Sequence, residues 1–140
     1  MIEFKYTLKD GAFAPEKAHA WDAGFDLRTP ETFTIKPGKS VVIDTGIAVA
    51  IHDGYVGFLK SKSGLMCKHD IITDGGVIDA GYTGTIAVKL TNKGITPYTF
   101  ERGDKITQLV ILPIPGVKMK KVETLDDTER GDNGFGSTGR

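Results

Sequence analysis

Apolar residues in this chain alternate with polar ones over short runs, and 18 glycines and six prolines punctuate the runs. That pattern constrains the fold more than anything else. A period of two marks a half-buried strand, and punctuation this dense leaves almost no window for an amphipathic helix. Strands are expected at Ile2–Leu8, Thr32–Ile35, Ser40–Ile43, Ile47–Ile51 and Tyr55–Lys60. Pro37-Gly38, Asp44-Thr45-Gly46 and His52-Asp53-Gly54 read as the turns between them. Asp104–Leu112 is the longest candidate, with Ile106, Gln108, Val110 and Leu112 on one face, and Val117–Val122 is a candidate last strand. The single helical signal is Ser63–Lys68, with Ser63 as N-cap. Strands at this spacing predict an all-β barrel or jelly roll with little helix. From Asp126 the chain turns to Asp, Glu, Gly, Ser and Thr, so residues 1–125 are expected to form the β domain and 126–140 a mobile tail.

The composition excludes several classes. Formal net charge is zero, so no global field calls for nucleic acid or an anionic membrane. Cys67 is the one cysteine, which rules out an intrachain disulfide framework and a thiolate-rich zinc site. His19, His52 and His69 lack metal-ligand spacing. Neither a signal-peptide run nor a membrane span is present, and a reducing, cytoplasmic setting is the expectation.

Five stretches could carry chemistry. Gly75-Gly76-Val77-Ile78-Asp79-Ala80-Gly81-Tyr82-Thr83-Gly84 interrupts a run of β-formers, and Thr85–Thr91 resumes it. The two arms are expected to pair as a hairpin with Asp79 and Tyr82 at its mouth. An acid, an aromatic ring and bare peptide edges suit a small planar ligand; an ordinary turn capped by its own Asp is the simpler account. Asp26, between Phe25 and Leu27, reads as a partly buried acid needing a partner, either a neighbouring turn or a metal. Ser61-Lys62-Ser63-Gly64-Leu65 offers hydroxyls, an open amide and a charge, as a phosphate site or as a plain helix start. Gln108 needs a partner among apolar neighbours. Arg130-Gly131-Asp132-Asn133-Gly134-Phe135-Gly136-Ser137-Thr138-Gly139 is either a solvated end or a segment that folds over a polyphosphate with Phe135 on a base.

In order along the chain, Ala-Gly-Phe-Asp-Leu, Lys-Ser-Gly-Leu, Gly-Val-Ile-Asp-x-x-Tyr-x-Gly, Gly-Asp-Lys-Ile-x-Gln-Leu and Arg-Gly-x-x-Gly-Phe-Gly-Ser-Thr-Gly resemble the five motifs of the trimeric dUTP pyrophosphatases, the dUTPases. The resemblance implies a distorted jelly roll, a homotrimer with shared active sites, and Mg²⁺-dependent hydrolysis of dUTP to dUMP and pyrophosphate. It implies Asp79 as the base that deprotonates water and Tyr82 as the ring packed under the deoxyribose. The backbone at Gly76, Val77 and Ile78, and across from it at Ala87, would pair with uracil. Lys62, Ser63, Gly64 and Gln108 would meet the phosphates, and Arg130 the γ-phosphate. Phe135 would stack on uracil, with Gly136, Ser137 and Thr138 completing the lid. Mg²⁺ would be held by triphosphate and water, with Asp26 acting at most through water.

Lys62 stands where the family usually has arginine, keeping the charge without the planar fork. Gly81, Thr83, Asp132 and Asn133 also depart from the family pattern without removing a reacting group. The same hairpin resembles that of dCTP deaminases, but their proton-shuttling glutamate is matched here by Lys89, which cannot serve as that base. A non-catalytic nucleotide-binding or interaction module on the same fold would not need Asp79.

Overall fold

The computed structural model describes residues 1–136, 138 and 139. Among the described residues eleven strands and one short helix follow one another. They are β1 (Tyr6–Leu8), β2 (Gly24–Arg28), β3 (Phe33–Ile35), β4 (Ser40–Asp44), β5 (Ile47–Val49), β6 (Tyr55–Lys60), α1 (Ser63–His69), β7 (Ile71–Thr73), β8 (Val77–Ile78), β9 (Ala87–Asn92), β10 (Tyr98–Phe100) and β11 (Lys105–Pro113). All pairings are antiparallel. One sheet runs β2-β11-β6-β8 and another β4-β9-β7, while β1 pairs with β5 and β10 with β3. The chain is a jelly roll.

One core holds the sheets together. Leu27, Leu59 and Leu109 from the first sheet meet Ile43, Val88, Leu90 and Ile71 from the second, and Phe100 and Ile35 join from the smaller pair. Alternation produces this directly. In β9, Val88, Leu90 and Asn92 are buried while Ala87 and Lys89 face out. Asn92 is tolerated inside because its amide donates to the Ile35 and Thr96 carbonyls. Leu109 lies on β11 between β2 and β6 and is 1% exposed. Cutting it to alanine should cost about 2–5 kcal/mol.

Three expectations are corrected. Gln108, Val110 and Leu112 do not share the buried face of β11, because the pairing with β2 slips between Lys105 and Thr107. The bulge changes the alternation, so Ile106, Thr107 and Leu109 are the buried residues. Val117–Val122 forms no strand, and Val117 and Met119 are exposed. Ser63 is not the N-cap of the helix. Lys62 holds that position with extended backbone, and no side chain caps the turn.

Candidate functional site

The first cluster gathers where β6 ends. Gln108 on β11 lies between Asp26 on β2 and Lys60 on β6. Its amide donates to the Ser61 carbonyl at 3.0 Å. Gly24 makes room for it, since a Cβ there would fall 2.3 Å from Gln108 Oε1. Thr107 donates to the Lys60 carbonyl at 3.0 Å, and the Ser61 hydroxyl accepts from the Thr73 amide at 2.9 Å. These bonds fix the backbone from which Lys62, Ser63 and Gly64 enter α1. The first helical amides have no partner within the helix, and the space over Gly64 is open, with no atom within 4 Å of a Cβ built there.

Asp26 is 7% exposed and carries two ammonium groups. Lys62 Nζ bonds Oδ1, and Lys105 Nζ bonds Oδ2 at 2.8 Å. Burial pushes the carboxyl up, but the bonds and charges of Lys105 and Lys62 outweigh it and hold it below the ordinary value. Among the described residues no three His, Cys, Asp or Glu side chains cluster as a metal cage. With both Asp26 oxygens on lysines, the donor set fits Mg²⁺ only as an ion carried by phosphates and water. Lys105 was not foreseen as a member of this cluster, although it stands inside the Gly-Asp-Lys-Ile motif.

The second cluster is the loop between β7 and β9. Thr73 pairs with Leu90, and the Asp74 amide still reaches the Lys89 carbonyl at 2.9 Å. The chain then leaves the sheet through Gly75 and Gly76, with φ of 66° and 121°. Gly76 has a second reason to lack a side chain: a Cβ would lie 2.9 Å from Leu59 Cδ1. Its carbonyl accepts from the Leu59 amide at 3.0 Å. Val77–Ile78 does not pair with the Thr85–Thr91 arm as the simple hairpin reading requires. β9 is flanked by β4 and, only toward its Leu90–Asn92 end, by β7; Val77–Ile78 pairs with Phe58 and Gly57 of β6 instead.

Asp79 starts the next turn, which the Tyr82 amide closes onto the Asp79 carbonyl at 3.2 Å. The Gly81 amide, at φ 81°, anchors the tip to the Ile51 carbonyl. Asp79 is exposed and Tyr82 is 46% exposed. The Tyr82 ring lies against Gly84, where a Cβ would sit 2.5 Å from its oxygen, and its hydroxyl donates to the Thr85 carbonyl at 3.1 Å. The Ile86 amide and carbonyl bind Ile47 and Thr45, and exposed Ala87 begins β9. A carboxylate, an aromatic ring and strand edges therefore stand together on a loop tied down at both ends.

The two clusters are far apart within one chain. Ile78 sits opposite Gly57, so the antiparallel direction carries Asp79 toward the start of β6. Lys62, Ser63 and Gly64 lie beyond its end at Lys60. From the level of Val56 to that of Lys60 is roughly 13 Å at a strand's rise of about 3.3 Å per residue.

Among the described residues no hydrogen bond joins the tail to either cluster. The Arg130 side chain donates to the Asn133 carbonyl at 3.2 Å, and the Asn133 amide donates back to the Arg130 carbonyl at 3.0 Å. Thr138 lines a shallow cleft with Thr128, Glu129, Arg130 and Asn133. Phe135 is fully exposed, Gly136 has a φ of 79°, and Ser137 lies outside the described residues.

Residues 11–139 match the family model described as dUTPase. The chain is similar to the deoxyuridine 5'-triphosphate nucleotidohydrolase of Tropheryma whipplei (strain Twist), 43% identical over 137 residues, covering 96% of this chain and 94% of that protein. It is also similar to the mouse (Mus musculus) protein of that name, at 41% identity over 95% of this chain and 82% of the relative. In structure it matches a mutant dUTPase of Staphylococcus bacteriophage 80alpha with dUpNHpp, at a TM-score of 0.94, 32% identity and full coverage (100%) of both chains. A mutant dUTPase of phage phi11 of S. aureus, described with a structural Mg(II) ion, matches at a TM-score of 0.82 and 32% identity over 88% of this chain and 98% of that one. Among the described residues no helix is long and apolar enough to cross a membrane.

Proposed function

The chain belongs to the dUTPase family, and on that premise we infer that it hydrolyses dUTP to dUMP and pyrophosphate. The observation that carries the reading is the second cluster, where an exposed carboxylate, Asp79, shares a pinned loop with the exposed ring of Tyr82. Asp79 holds a water by hydrogen bond and takes its proton as the oxygen attacks the α-phosphorus. A new P–O bond forms, the bond from the α-phosphorus to its bridging oxygen breaks, and pyrophosphate leaves. Tyr82 packs against the deoxyribose and leaves no room for a 2′-hydroxyl. Backbone N–H and C=O groups at Gly76, Val77, Ile78 and Ala87 act as the pairing edge for uracil.

Ser63, Gly64 and Gln108 contact the phosphates, and Lys62 adds charge there. Mg²⁺ carried by the triphosphate would offset part of its negative charge, and Asp26 would act on it at most through water. Because Asp79 and the phosphate contacts lie at opposite ends of β6, one chain supplies the base and another the phosphate cluster. That separation supports sites between copies, and the working form on this reading is a homotrimer. Arg130, Phe135, Gly136, Ser137 and Thr138 close over the bound triphosphate as a lid made by residues 126–140. The enzyme works in the cytoplasm.

Incubation with dUTP, dCTP and UTP in oxygen-labelled water, followed by product chromatography and mass spectrometry, tests the reading. dUTP should give labelled dUMP and unlabelled pyrophosphate, with dCTP and UTP turned over poorly. Label in pyrophosphate would exclude attack at the α-phosphorus. Deamination of dCTP would favour the sister chemistry, and binding without turnover would leave only a nucleotide-binding module.

A further inference from the structure

Tyr82 is not held by its own loop alone. Its hydroxyl donates to the Thr85 carbonyl at 3.1 Å. The Thr85 hydroxyl donates in turn to Asp44 Oδ2 at 3.0 Å. Asp44 ends β4 and has two further contacts: the Gly46 amide donates to Oδ1 at 2.9 Å, and Lys9 Nζ reaches Oδ2 at 3.0 Å. The backbone next to Thr85 is tied to the same turn. The Thr45 amide and hydroxyl both donate to the Ile86 carbonyl, at 2.9 and 2.7 Å, and the Ile86 amide donates to the Ile47 carbonyl at 2.7 Å. On the other side the ring rests against Gly84, with no space for a side chain between them.

The Asp44-Thr45-Gly46 turn therefore acts on the ring through one intermediate residue. We propose that Asp44 is a specificity-determining positioning residue, which sets through Thr85 the height and tilt of the Tyr82 ring and so the rejection of a 2′-hydroxyl. The inference rests on the reading that Tyr82 packs against the sugar. Exclusion of one oxygen atom depends on displacements well under its diameter, and a side chain keeps such a position only when its supporting shell is itself fixed. Tyr82 is half exposed, so core packing does not fix it. The hydrogen-bonded chain to Asp44 supplies what packing does not. The carboxylate suits the task because it accepts from Thr85, Gly46 and Lys9 at once. Burial raises its pKa, but the Gly46 amide, Lys9 and Thr85 hold it below the ordinary value, so it stays an acceptor at neutral pH.

The test is the ratio of kcat/KM for dUTP to that for UTP in Asp44→Asn, Thr85→Val, Tyr82→Phe, Tyr82→Ala and the double variant Asp44→Asn/Tyr82→Phe. Thr85→Val keeps the β-branch and the carbonyl and removes only the hydroxyl that Asp44 receives. Asp44→Asn, Thr85→Val and Tyr82→Phe should each lower the ratio about 3- to 10-fold, in the range expected for residues coupled through a shared network. The double variant should lose little more than either parent, since both break one chain. Melting temperature is the companion measurement: a purely structural role would lower it and reduce both substrates' kcat/KM alike, leaving the ratio unchanged. If Tyr82→Ala relaxes selectivity while Thr85→Val and Asp44→Asn keep the wild-type ratio, or if the two effects simply multiply, the inference is overturned. If Tyr82→Ala itself leaves the ratio intact, it is the sugar-packing role of Tyr82 that fails. Should Asp44→Asn not fold, Thr85→Val decides alone.

Discussion

Asp79 and Lys62 lie off opposite ends of β6: Asp79 follows Ile78, which faces Gly57, whereas Lys62 stands two residues beyond Lys60. A general base must be within about 3 Å of the water it activates. On the proposed reading, that water lies in line with a phosphorus whose oxygens Ser63, Gly64 and Gln108 contact. One chain cannot bring its own two ends together without unpairing β6 from β8 or β11.

Mixed assemblies test this relationship directly. Asp79→Asn and Gln108→Ala proteins, each nearly inactive, should regain activity when unfolded together and refolded, because some sites then combine an intact loop with an intact phosphate cluster. Light scattering of the wild type should give a trimer. Mixtures no more active than the sum of the parents, or a fully active monomer, would exclude sites shared between copies.

Asp79→Asn keeps the shape of the side chain and loses the ability to take a proton. Turnover should fall by about 10²–10⁴-fold, the usual worth of a positioned base. Binding of a non-hydrolysable dUTP analogue, followed by calorimetry, should stay within a few-fold of wild type. Turnover close to normal would move the base elsewhere.

Most of this arrangement was legible in the residues because it depends on local signals. β6 was readable from Tyr55 to Lys60, since turn residues bound it on one side and its apolar residues recur along it. Asp79, Tyr82 and the glycines around them announced an unusual turn. What stayed hidden depends on partners distant in sequence. Nothing near Val77 says that its ladder goes to Phe58 rather than to the arm after Gly84. Nothing near Gln108 says that a slip at Lys105 will change which face of β11 is buried. The short strands Gly24–Arg28 and Tyr98–Phe100 were missed for the same reason: their neighbours, not their own pattern, make them strands. Likewise Asp44 looks like an ordinary acid until the fold brings Thr85 to it, and Asp26 reads as an acid in need of a partner without any sign that the partners are two lysines.

Asp26 also links stability to pH. Its folded carboxyl is held below the ordinary 3.8, so the folded state binds the proton more weakly than the unfolded chain does. Its contribution is therefore complete above the ordinary carboxylate range and is lost as pH falls through 3.8 toward the folded value. Asp26→Asn should cost about 1–3 kcal/mol at pH 7, less than a fully buried pair, because both lysines can turn to water. Urea titrations from pH 3 to 7 (roughly the span over which such a group changes charge) should show the wild-type advantage shrinking at the acid end. An advantage independent of pH would mean that the two ion pairs contribute nothing.

The tail carries the last prediction. Its hydrogen bonds are internal: Arg130 and Asn133 hold each other, and Phe135 stands in solvent. Among the described residues no hydrogen bond joins 126–139 to the β domain. The buried core ends at Leu109, so removing the segment should leave folding intact. Gly131, Gly134, Gly136 and Gly139 make ordering it expensive in entropy. A dense anion facing Arg130 and the backbone amides would offset that cost, and a base beneath Phe135 would give its ring a partner. Closure should then require the triphosphate. Tail amides should be protected from hydrogen exchange by a non-hydrolysable dUTP analogue and hardly at all by dUMP. Truncation after Glu129 should leave the melting temperature and the assembly unchanged while turnover drops severely, because closure excludes water and strengthens the charges around the phosphates. A truncated protein that hydrolyses dUTP at the wild-type rate would reduce the segment to a solvated end and remove Arg130 and Phe135 from the site together.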